Sequence, residues 1–372
     1  GYGDVIVGTP DYDSMPSAPD TGGVFVYLGS ASGLATSPAW IAAGAQISEG
    51  FGFSIASGNV NGDSFDDLIV GAPFLSNGQT SEGGAFAYHG SAGGLSTSPV
   101  WTAEGNQDSS YFGLAVASAG DVNADAYDDA IIGAAYFSNG EVYEGRAFVY
   151  QGRPNGLSPG PIWTAESNQD FASFGASVAG AGDVNGDGFG DVLVGAPYFT
   201  NGEYQEGRAY TYYGSSIGPS IQPDWSVESN QASANLGLVA TSGDVNGDGY
   251  RDVIVGALGY DNGQVDEGRI HLYAGSASGL STSPLWTEES NQTSAYLGFS
   301  AASAGDVNGD GCADVIAGAN HYENGQTWEG RAFAYYGDGC TNVGTKYCAA
   351  NANSTGSPAD ITASGSRSGR SR

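Results

Sequence analysis

Short apolar runs punctuate this chain at a constant spacing, and each follows a cluster of Asp, Asn and Gly. The runs are Leu68-Ile69-Val70-Gly71-Ala72-Pro73, Ala130-Ile131-Ile132-Gly133, Val192 to Pro197, Val253-Ile254-Val255-Gly256 and Val315-Ile316-Ala317-Gly318; a sixth, Asp4-Val5-Ile6-Val7-Gly8, opens the chain. Apolar stretches this short, bounded by turn residues, predict strands rather than helices. The segment from Phe174 to Leu236 predicts four strands: A at Gly175–Gly180, B at Val192–Ala196, C at Arg208–Tyr213 and D around Asp224-Trp225-Ser226-Val227. The other segments keep this order. Strand C reads Val24-Phe25-Val26-Tyr27, Ala85-Phe86-Ala87-Tyr88, Ala147-Phe148-Val149-Tyr150, Ile270-His271-Leu272-Tyr273 and Ala332-Phe333-Ala334-Tyr335, and tryptophan marks strand D at Trp40, Trp101, Trp163, Trp225 and Trp286. Four strands in each period of about 60 residues predict the blade of an all-β propeller, whereas a β-helix needs a much shorter repeat. The period spans residues 1–338. The Ser/Gly/Ala-rich residues 339–372 read as a flexible linker or the truncated start of a following module.

The polar cluster before each run carries its own chemistry. In the loop from Asp183 to Asp191, the oxygen-bearing side chains Asp183, Asn185, Asp187 and Asp191 stand at positions 1, 3, 5 and 9; Gly188 stands at 6, and Phe189 at 7 offers its backbone carbonyl. Such a set suits a hard cation, with calcium the natural occupant. The same spacing recurs in Asp244, Asn246, Asp248, Tyr250 and Asp252, and again in Asp306, Asn308, Asp310, Cys312 and Asp314. Two further copies are degenerate. The set Asn59, Asn61, Asp63, Phe65 and Asp67 begins with Asn and has Ser64 at position 6, and the set Asp121, Asn123, Asp125, Tyr127 and Asp129 has Ala124 and Ala126 in place of both glycines. Alanine is strained at left-handed backbone angles, so these two loops are expected to bind more weakly or stay empty. First positions fall at Asn59, Asp121, Asp183, Asp244 and Asp306, at intervals of 62, 62, 61 and 62 residues. A polar turn without metal is the bland alternative, and it has no reason to recur with this ligand spacing.

Phe51-Gly52 with Gly71-Ala72-Pro73, Phe112-Gly113 with Gly133-Ala134, and Phe174-Gly175 with Gly195-Ala196-Pro197 add a second motif, softened later to Leu236-Gly237 with Gly256-Ala257-Leu258 and Leu297-Gly298 with Gly318-Ala319-Asn320. Motif, period and loop together resemble the FG-GAP repeats of integrin α-chain propellers and their bacterial secreted relatives. The resemblance implies a calcium-bearing propeller, usually of seven blades, found outside cells and used for adhesion or recognition. The strand count departs from it: the first copy lacks strand A and the last lacks strand D. Either the two complement each other as one blade of a five-bladed ring, or this chain is a fragment with about six blades.

Charge narrows the function. A formal net charge of −31, with Lys346 the only lysine, excludes a phosphate backbone or an anionic membrane surface as partner. The crowded loop carboxylates repel each other unless a cation joins them, so folding is expected to couple to metal. No apolar run approaches the roughly 20 residues of a bilayer span. Of three cysteines, Cys340 and Cys348 lie close in sequence and Cys312 stands apart; whether the close pair bridges stays open.

The three histidines, His89, His271 and His321, share no repeat position and form no catalytic arrangement, and the ligand set leaves no open coordination position for a substrate. The recurrent Glu-Gly-Arg at residues 144–146, 206–208, 267–269 and 329–331 reads as inter-blade packing rather than an anion site. A non-enzymatic, calcium-binding adhesion or recognition module outside the cell is therefore expected, against a propeller-type hydrolase or accessory domain, or a structural spacer in a larger surface protein.

Strand alternation puts the A–B and C–D loops at one end and the B–C and D–A loops at the other. The second end carries Tyr136, Phe137, Tyr143, Tyr198, Phe199, Tyr204, Tyr260, Tyr322 and Trp328 among acids and amides, which suits a protein or glycan ligand, although half of these rings, the Tyr-Phe pairs above all, also fit packing across loop bases. The B–C connections differ most between repeats, as at Asp11 to Pro16 and His321 to Trp328, so Tyr12, Tyr204 and Trp328 are candidate contacts.

Overall fold

The computed structural model describes residues 2–13 and 20–337 and the backbone of 359–360. Cys340, Cys348 and the tip of the first B–C connection, Ser14 to Pro16, lie outside the described residues. Among the described residues six antiparallel sheets of three or four strands follow one another along the chain, consistent with a propeller of about six blades, and a two-stranded ribbon, Gly29–Ser30 with Gly33–Leu34, lies between the second and third strands of the first. Sheets two to five each contain four strands in the order A-B-C-D; in the third these are Phe112–Gly120, Asp129–Ala134, Arg146–Tyr150 and Trp163–Glu166. The first sheet has three strands, Val5–Thr9, Gly23–Tyr27 and Trp40–Ala43, so among the described residues it holds no strand A, as expected. In the sixth, Ala359–Asp360 pairs antiparallel with Arg331–Tyr335, giving a short fourth strand from beyond the repeat period. First and last sheets are separate, so they do not merge into one blade of a five-bladed ring. No helix of the described residues is long and apolar enough to cross a membrane.

Strand B is buried at every position in blades two to five, at Asp67–Ala72, Asp129–Ala134, Asp191–Ala196 and Asp252–Ala257. Each sheet is sandwiched between its neighbours, which is why these strands read as continuous apolar runs without alternation. Burial of each Val, Ile or Leu contributes about 1.5–3 kcal/mol. Strand A of the fourth blade runs from Ser177 to Gly182, two residues later than the alternation suggests. The cause is Gly175, whose φ of +84° leaves the ladder while its N–H donates to Gly195 O at 3.0 Å.

The motif glycines meet across the blade boundaries. A Cβ built on Gly71, Gly133, Gly195 or Gly256 would collide with the carbonyl of Gly113, Gly175, Gly237 or Gly298 in the following blade. Beside each contact a parallel bridge joins the glycine before strand C to the motif residue of the next blade: Gly83 to Phe112, Gly145 to Phe174, Gly207 to Leu236 and Gly268 to Leu297.

A second tie lies at strand D. The Trp101 ring meets Tyr150 of the next blade edge-on at 5.0 Å, and its Nε1–H donates to Ser158 O at 2.9 Å. Trp163 does the same with Tyr212 and Ser220, and Trp225 with Tyr273 and Ser281. One side chain thus packs its apolar body and satisfies its polar tip on the same neighbour.

Two expectations change in detail. Glu-Gly-Arg divides its work: the glycine packs between blades, but Arg146, Arg208 and Arg269 pair within their own blade with Glu166, Glu228 and Glu289 on strand D. Cys312 does not stand apart; it is buried and disulfide-bonded, and its partner lies outside the described residues.

The glycine contact is tested by Gly195→Ala, which is expected to cost about 3 kcal/mol or more because neither backbone can retreat within a packed sheet. Gly160→Ala, where nothing lies within 4 Å of the added carbon, is expected to stay within about 0.5 kcal/mol. Urea unfolding of both variants, with equal losses for the two, would refute the role given to the contact.

Candidate functional site

All five acidic loops share one hydrogen-bonded frame. In the loop from Asp183 to Asp191, Asp183 Oδ1 accepts the N–H groups of Gly186 and Asp187 at 2.6 and 3.0 Å, and its Oδ2 accepts that of Gly188 at 2.8 Å. Asn185 Oδ1 accepts Asp187 N–H at 2.9 Å, and Asp187 Oδ1 accepts Phe189 N–H at 3.0 Å. Asp191, the first residue of strand B, accepts Val184 N–H and Gly214 N–H, both at 2.9 Å, and so ties the loop to the C–D connection.

The next two loops repeat these bonds. Asp244 accepts Gly247, Asp248 and Gly249 N–H, Asn246 Oδ1 accepts Asp248 N–H at 2.9 Å, Asp248 Oδ1 accepts Tyr250 N–H at 3.0 Å, and Asp252 accepts Val245 and Gly275 N–H. Asp306 accepts Gly309, Asp310 and Gly311 N–H, Asn308 Oδ1 accepts Asp310 N–H at 2.9 Å, Asp310 Oδ1 accepts Cys312 N–H at 2.9 Å, and Asp314 accepts Val307 and Gly337 N–H. The A–B and C–D loops therefore share one end, as alternation predicts.

The degenerate loops keep the shape against steric resistance. Ser64, Ala124 and Ala126 hold φ of 80°, 57° and 73° where the other copies use glycine. In the first loop Asn59 Oδ1 accepts Gly62 and Asp63 N–H, Asn61 Oδ1 accepts Asp63 N–H at 2.9 Å, and Asp63 Oδ1 accepts Phe65 N–H at 2.9 Å. Asp67 there accepts the N–H of Asn61 at 3.2 Å, one residue later than its counterparts. In the second loop Asp121 accepts Asp125 and Ala126 N–H, Asn123 Oδ1 accepts Asp125 N–H, Asp125 Oδ1 accepts Tyr127 N–H, and Asp129 accepts Val122 N–H. Gln151 Nε2–H also donates to Asp125 Oδ2 at 2.6 Å, a bond that competes with a cation for that oxygen.

The expected ligand sets are adjacent but are not drawn into closed cages. Among the described residues no three acidic, histidine or cysteine side chains converge on one point. The reason is visible in the bonds: the carboxylates at positions 1, 5 and 9 are spread over loop N–H groups, and the Asn at position 3 turns its amide toward the position 5 acid. Asn61 Nδ2–H donates to Asp63 Oδ2 at 3.0 Å, Asn185 to Asp187 at 3.0 Å, Asn246 to Asp248 at 3.0 Å and Asn308 to Asp310 at 2.9 Å. A cation shared by positions 3 and 5 would replace this amide bond.

Burial pushes the carboxyl groups of Asp129, Asp191 and Asp252 up to about 7, against the N–H groups they accept, and the carboxylates at positions 5 and 1 push the same way. An added cation would relieve this concentration of unscreened negative charge. The donors are all oxygens, which suits a hard ion.

Sequence reasoning missed a role for the side chain at position 7. The Tyr127 ring covers Gly62 and the Tyr250 ring covers Gly186, so each lies over a glycine of the preceding blade's loop. Phe65 is exposed, and the first blade has no A–B loop among the described residues for it to cover. The signal was the aromatic at that position in four of the five copies, with Cys312 in the fifth.

At the other end the B–C loops are braced from below. Buried Glu144, Glu206 and Glu267 accept the N–H of Asn139, Asn201 and Asn262 at 2.6, 2.7 and 2.6 Å. Gln107 exchanges two bonds with Ser138, at 2.8 and 2.7 Å, linking a D–A loop to the next B–C loop. Phe137, Phe199, Tyr260 and Tyr322 lie under the guanidinium groups of Arg146, Arg208, Arg269 and Arg331, which makes them packing residues.

Of the candidate contacts, Tyr12 packs edge-on to Phe25, Trp328 stacks on His321 at 5.2 Å, and Tyr204 is 64% exposed. They belong to the first, sixth and fourth blades, and no ring contact joins one to another. Tyr136 and Tyr143 do join a connected set of rings with Phe53, Phe74, Tyr111 and Phe171.

His271 takes the place in strand C that Phe86, Phe148 and Tyr210 hold in other blades. It is buried between Tyr260 and Tyr273 with neither nitrogen hydrogen-bonded.

Comparison with known proteins agrees with this anatomy. A family model described as FG-GAP repeat matches residues 51–88 and 174–212, and one described as FG-GAP-like repeat matches residues 244–317. Integrin alpha-5 of Xenopus laevis is 35% identical over 254 residues, covering 65% of this chain and 23% of that protein. Integrin alpha-V of Gallus gallus is 33% identical over 221 residues (56% and 20%), and integrin alpha-PS2 of Drosophila melanogaster 31% over 224 (56% and 15%). The chain thus spans less than a quarter of the length of these relatives.

Burial holds the His271 pKa down at about 4, with Arg269 pushing the same way and Glu289 opposing. The unfolded chain, with an ordinary value near 6.5, takes up a proton that the folded one refuses. Stability is therefore present in full above pH of about 6.5 and falls by up to roughly 3 kcal/mol as pH drops toward 4. Urea unfolding across that window should show His271→Phe losing about one proton's worth of this slope relative to the parent; equal slopes would refute the assignment.

Proposed function

We propose, on the premise that this chain is an FG-GAP-repeat β-propeller resembling integrin α chains, that it is a non-enzymatic recognition module of an extracellular or cell-surface protein whose shape depends on bound calcium. The observation that carries the reading is the recurrence, blade after blade, of an oxygen-only loop anchored by a buried aspartate, at Asp129, Asp191, Asp252 and Asp314 among others. Calcium would be held by Asp183, Asn185, Asp187, Asp191 and the Phe189 carbonyl, and by the matching residues of the other loops. When bound it supplies positive charge at a point where several carboxylates otherwise repel. Each loop bonds to the C–D connection of its own blade, so charge neutralisation stiffens the blade as a whole. Affinities of about 10⁻⁴ to 10⁻³ M suffice for an extracellular site.

The partner, a protein or a glycan, is placed on the end opposite the loops. Architecture repeats from blade to blade at the loop end, whereas Tyr12, Tyr204 and Trp328 stand where the B–C connections differ. A single ligand touching several blades requires such non-equivalent contacts.

Chelation with EDTA is expected to lower the melting temperature, and calcium to restore it. Metal analysis should show Asp187→Ala losing one ion and Asp125→Ala losing less than one, because the degenerate second loop fills poorly. Unchanged melting and ion count after EDTA would reduce the loops to polar turns.

Beads coated with the calcium-loaded chain should adhere to cell-surface or matrix material. Alanine at Tyr12, Tyr204 and Trp328 should abolish adhesion without altering calcium-dependent melting. Loss on substituting the C–D loops instead would move the partner to the other face.

A further inference from the structure

The rings at the B–C and D–A end are not scattered. Phe53, Phe74, Tyr111, Tyr136, Tyr143 and Phe171 form one continuous row, with successive centroids 5.9, 5.3, 5.0, 5.5 and 6.0 Å apart and adjacent planes inclined at 65–87°. The row runs from the start of the second blade to the entry of the fourth. None of the six belongs to a blade core, and Phe53, Phe74, Tyr143 and Phe171 are exposed.

The backbone opposes three of these residues. Tyr111, Tyr143 and Phe171 have φ of 54°, 52° and 61°. The same positions elsewhere hold Gly50, Ser173 and Asn235, or Ser81 and Gln205, or Ser109 and Ser233, with a ring again at Tyr296 and Trp328. Left-handed geometry costs a bulky residue about 1 kcal/mol more than a small or polar one. Strain of this kind, outside any core, marks a surface kept for a ligand rather than for stability.

The chemistry of the row selects the ligand. No lysine or arginine belongs to it, and the net charge of −31 repels sulfated, sialylated or phosphorylated partners. At its centre the phenol of Tyr136 is flanked by those of Tyr198, Tyr111 and Tyr143, close enough that all three, after burial, push its pKa up. Phenols both donate and accept hydrogen bonds. A polyproline segment brings only acceptors, because proline lacks an N–H. A sugar ring brings hydroxyl donors and acceptors together with an apolar C–H face that covers an aromatic ring.

We propose that this row is a binding site for an uncharged oligosaccharide, whose sugar rings stack on Phe53, Phe74, Tyr143 and Phe171 while its hydroxyls bond to Tyr111 and Tyr136. The inference rests on the recognition reading above and names the class of ligand for that face.

The test is isothermal titration of the calcium-loaded chain with cellohexaose, chitohexaose and maltohexaose, and with decaproline. Saturable binding to at least one hexasaccharide is expected, weakened at least ~10-fold by Tyr143→Ser and by Phe171→Ser, each about 1.4 kcal/mol. Both variants should keep or raise the melting temperature, since serine fits the left-handed positions, so a loss of binding cannot be ascribed to unfolding. Ile221→Ser, an exposed position in a C–D loop, should bind sugar as the parent does. No saturable binding to any hexasaccharide, binding indifferent to the two variants, or tighter variant-sensitive binding of decaproline overturns the proposal. If coated beads still adhere while no sugar binds, recognition stands and the saccharide assignment alone falls; if neither occurs, both fall.

Discussion

The contact on which the whole array depends is the seating of one backbone on another at each blade boundary, glycine against glycine carbonyl. Gly133 lies so close to the Gly175 carbonyl that no side chain fits between them, and Gly195 against Gly237 repeats the arrangement. Close backbone approach lets strands B of adjacent sheets bury both faces without a void, which is what an unbroken apolar strand requires. The Phe or Leu beside each glycine fills the adjoining core, as Phe112, Phe174 and Leu236 do, all fully buried. Motif residues 42 positions apart, such as Gly71 and Gly113, are thus one contact viewed from two blades.

That spacing also organises the acidic loops. A loop residue such as Asp191 is both the last loop position and the first residue of strand B, so the boundary contact that fixes the strand fixes the carboxylate. The desolvation raising its pKa is a by-product of the same packing. Two carboxylates nearby leave the loop with more negative charge than its N–H groups disperse, and a divalent cation is the direct remedy. The ring of Tyr250 over Gly186 then links one loop to the next, so neighbouring loops share packing as well as charge type.

At the opposite end the structure separates brace from surface. Buried Glu144, Glu206 and Glu267 and the Arg–Glu pairs hold the B–C loops in one shape irrespective of what decorates them. With the frame fixed, residues at the left-handed positions are free to vary, and around the third blade they vary toward large rings. Strain is tolerated because the loop beneath does not depend on it.

The sequence by itself determined the period, the four-strand order, the loop positions and the two ends to which the loops go, because each rests on spacing and on local backbone chemistry. A glycine every 62 residues or a Trp at each strand D is legible without coordinates. The oxygen spacing of Asp244, Asn246, Asp248 and Asp252 was legible too, but the amide of Asn246 bonding to Asp248 was not, since spacing does not say which way an amide turns. The separateness of first and last sheets, the pairing of Arg146 with Glu166 inside a blade, the disulfide at Cys312 and the short strand at Ala359–Asp360 were decided only by the tertiary structure. So was the row from Phe53 to Phe171: its rings are up to 118 residues apart, and spacing singles out only Tyr136 and Tyr143 among them. The division has a physical reason. Repeat spacing fixes what every blade must do alike, whereas contacts between non-equivalent side chains exist only once the blades are stacked and their loops brought side by side.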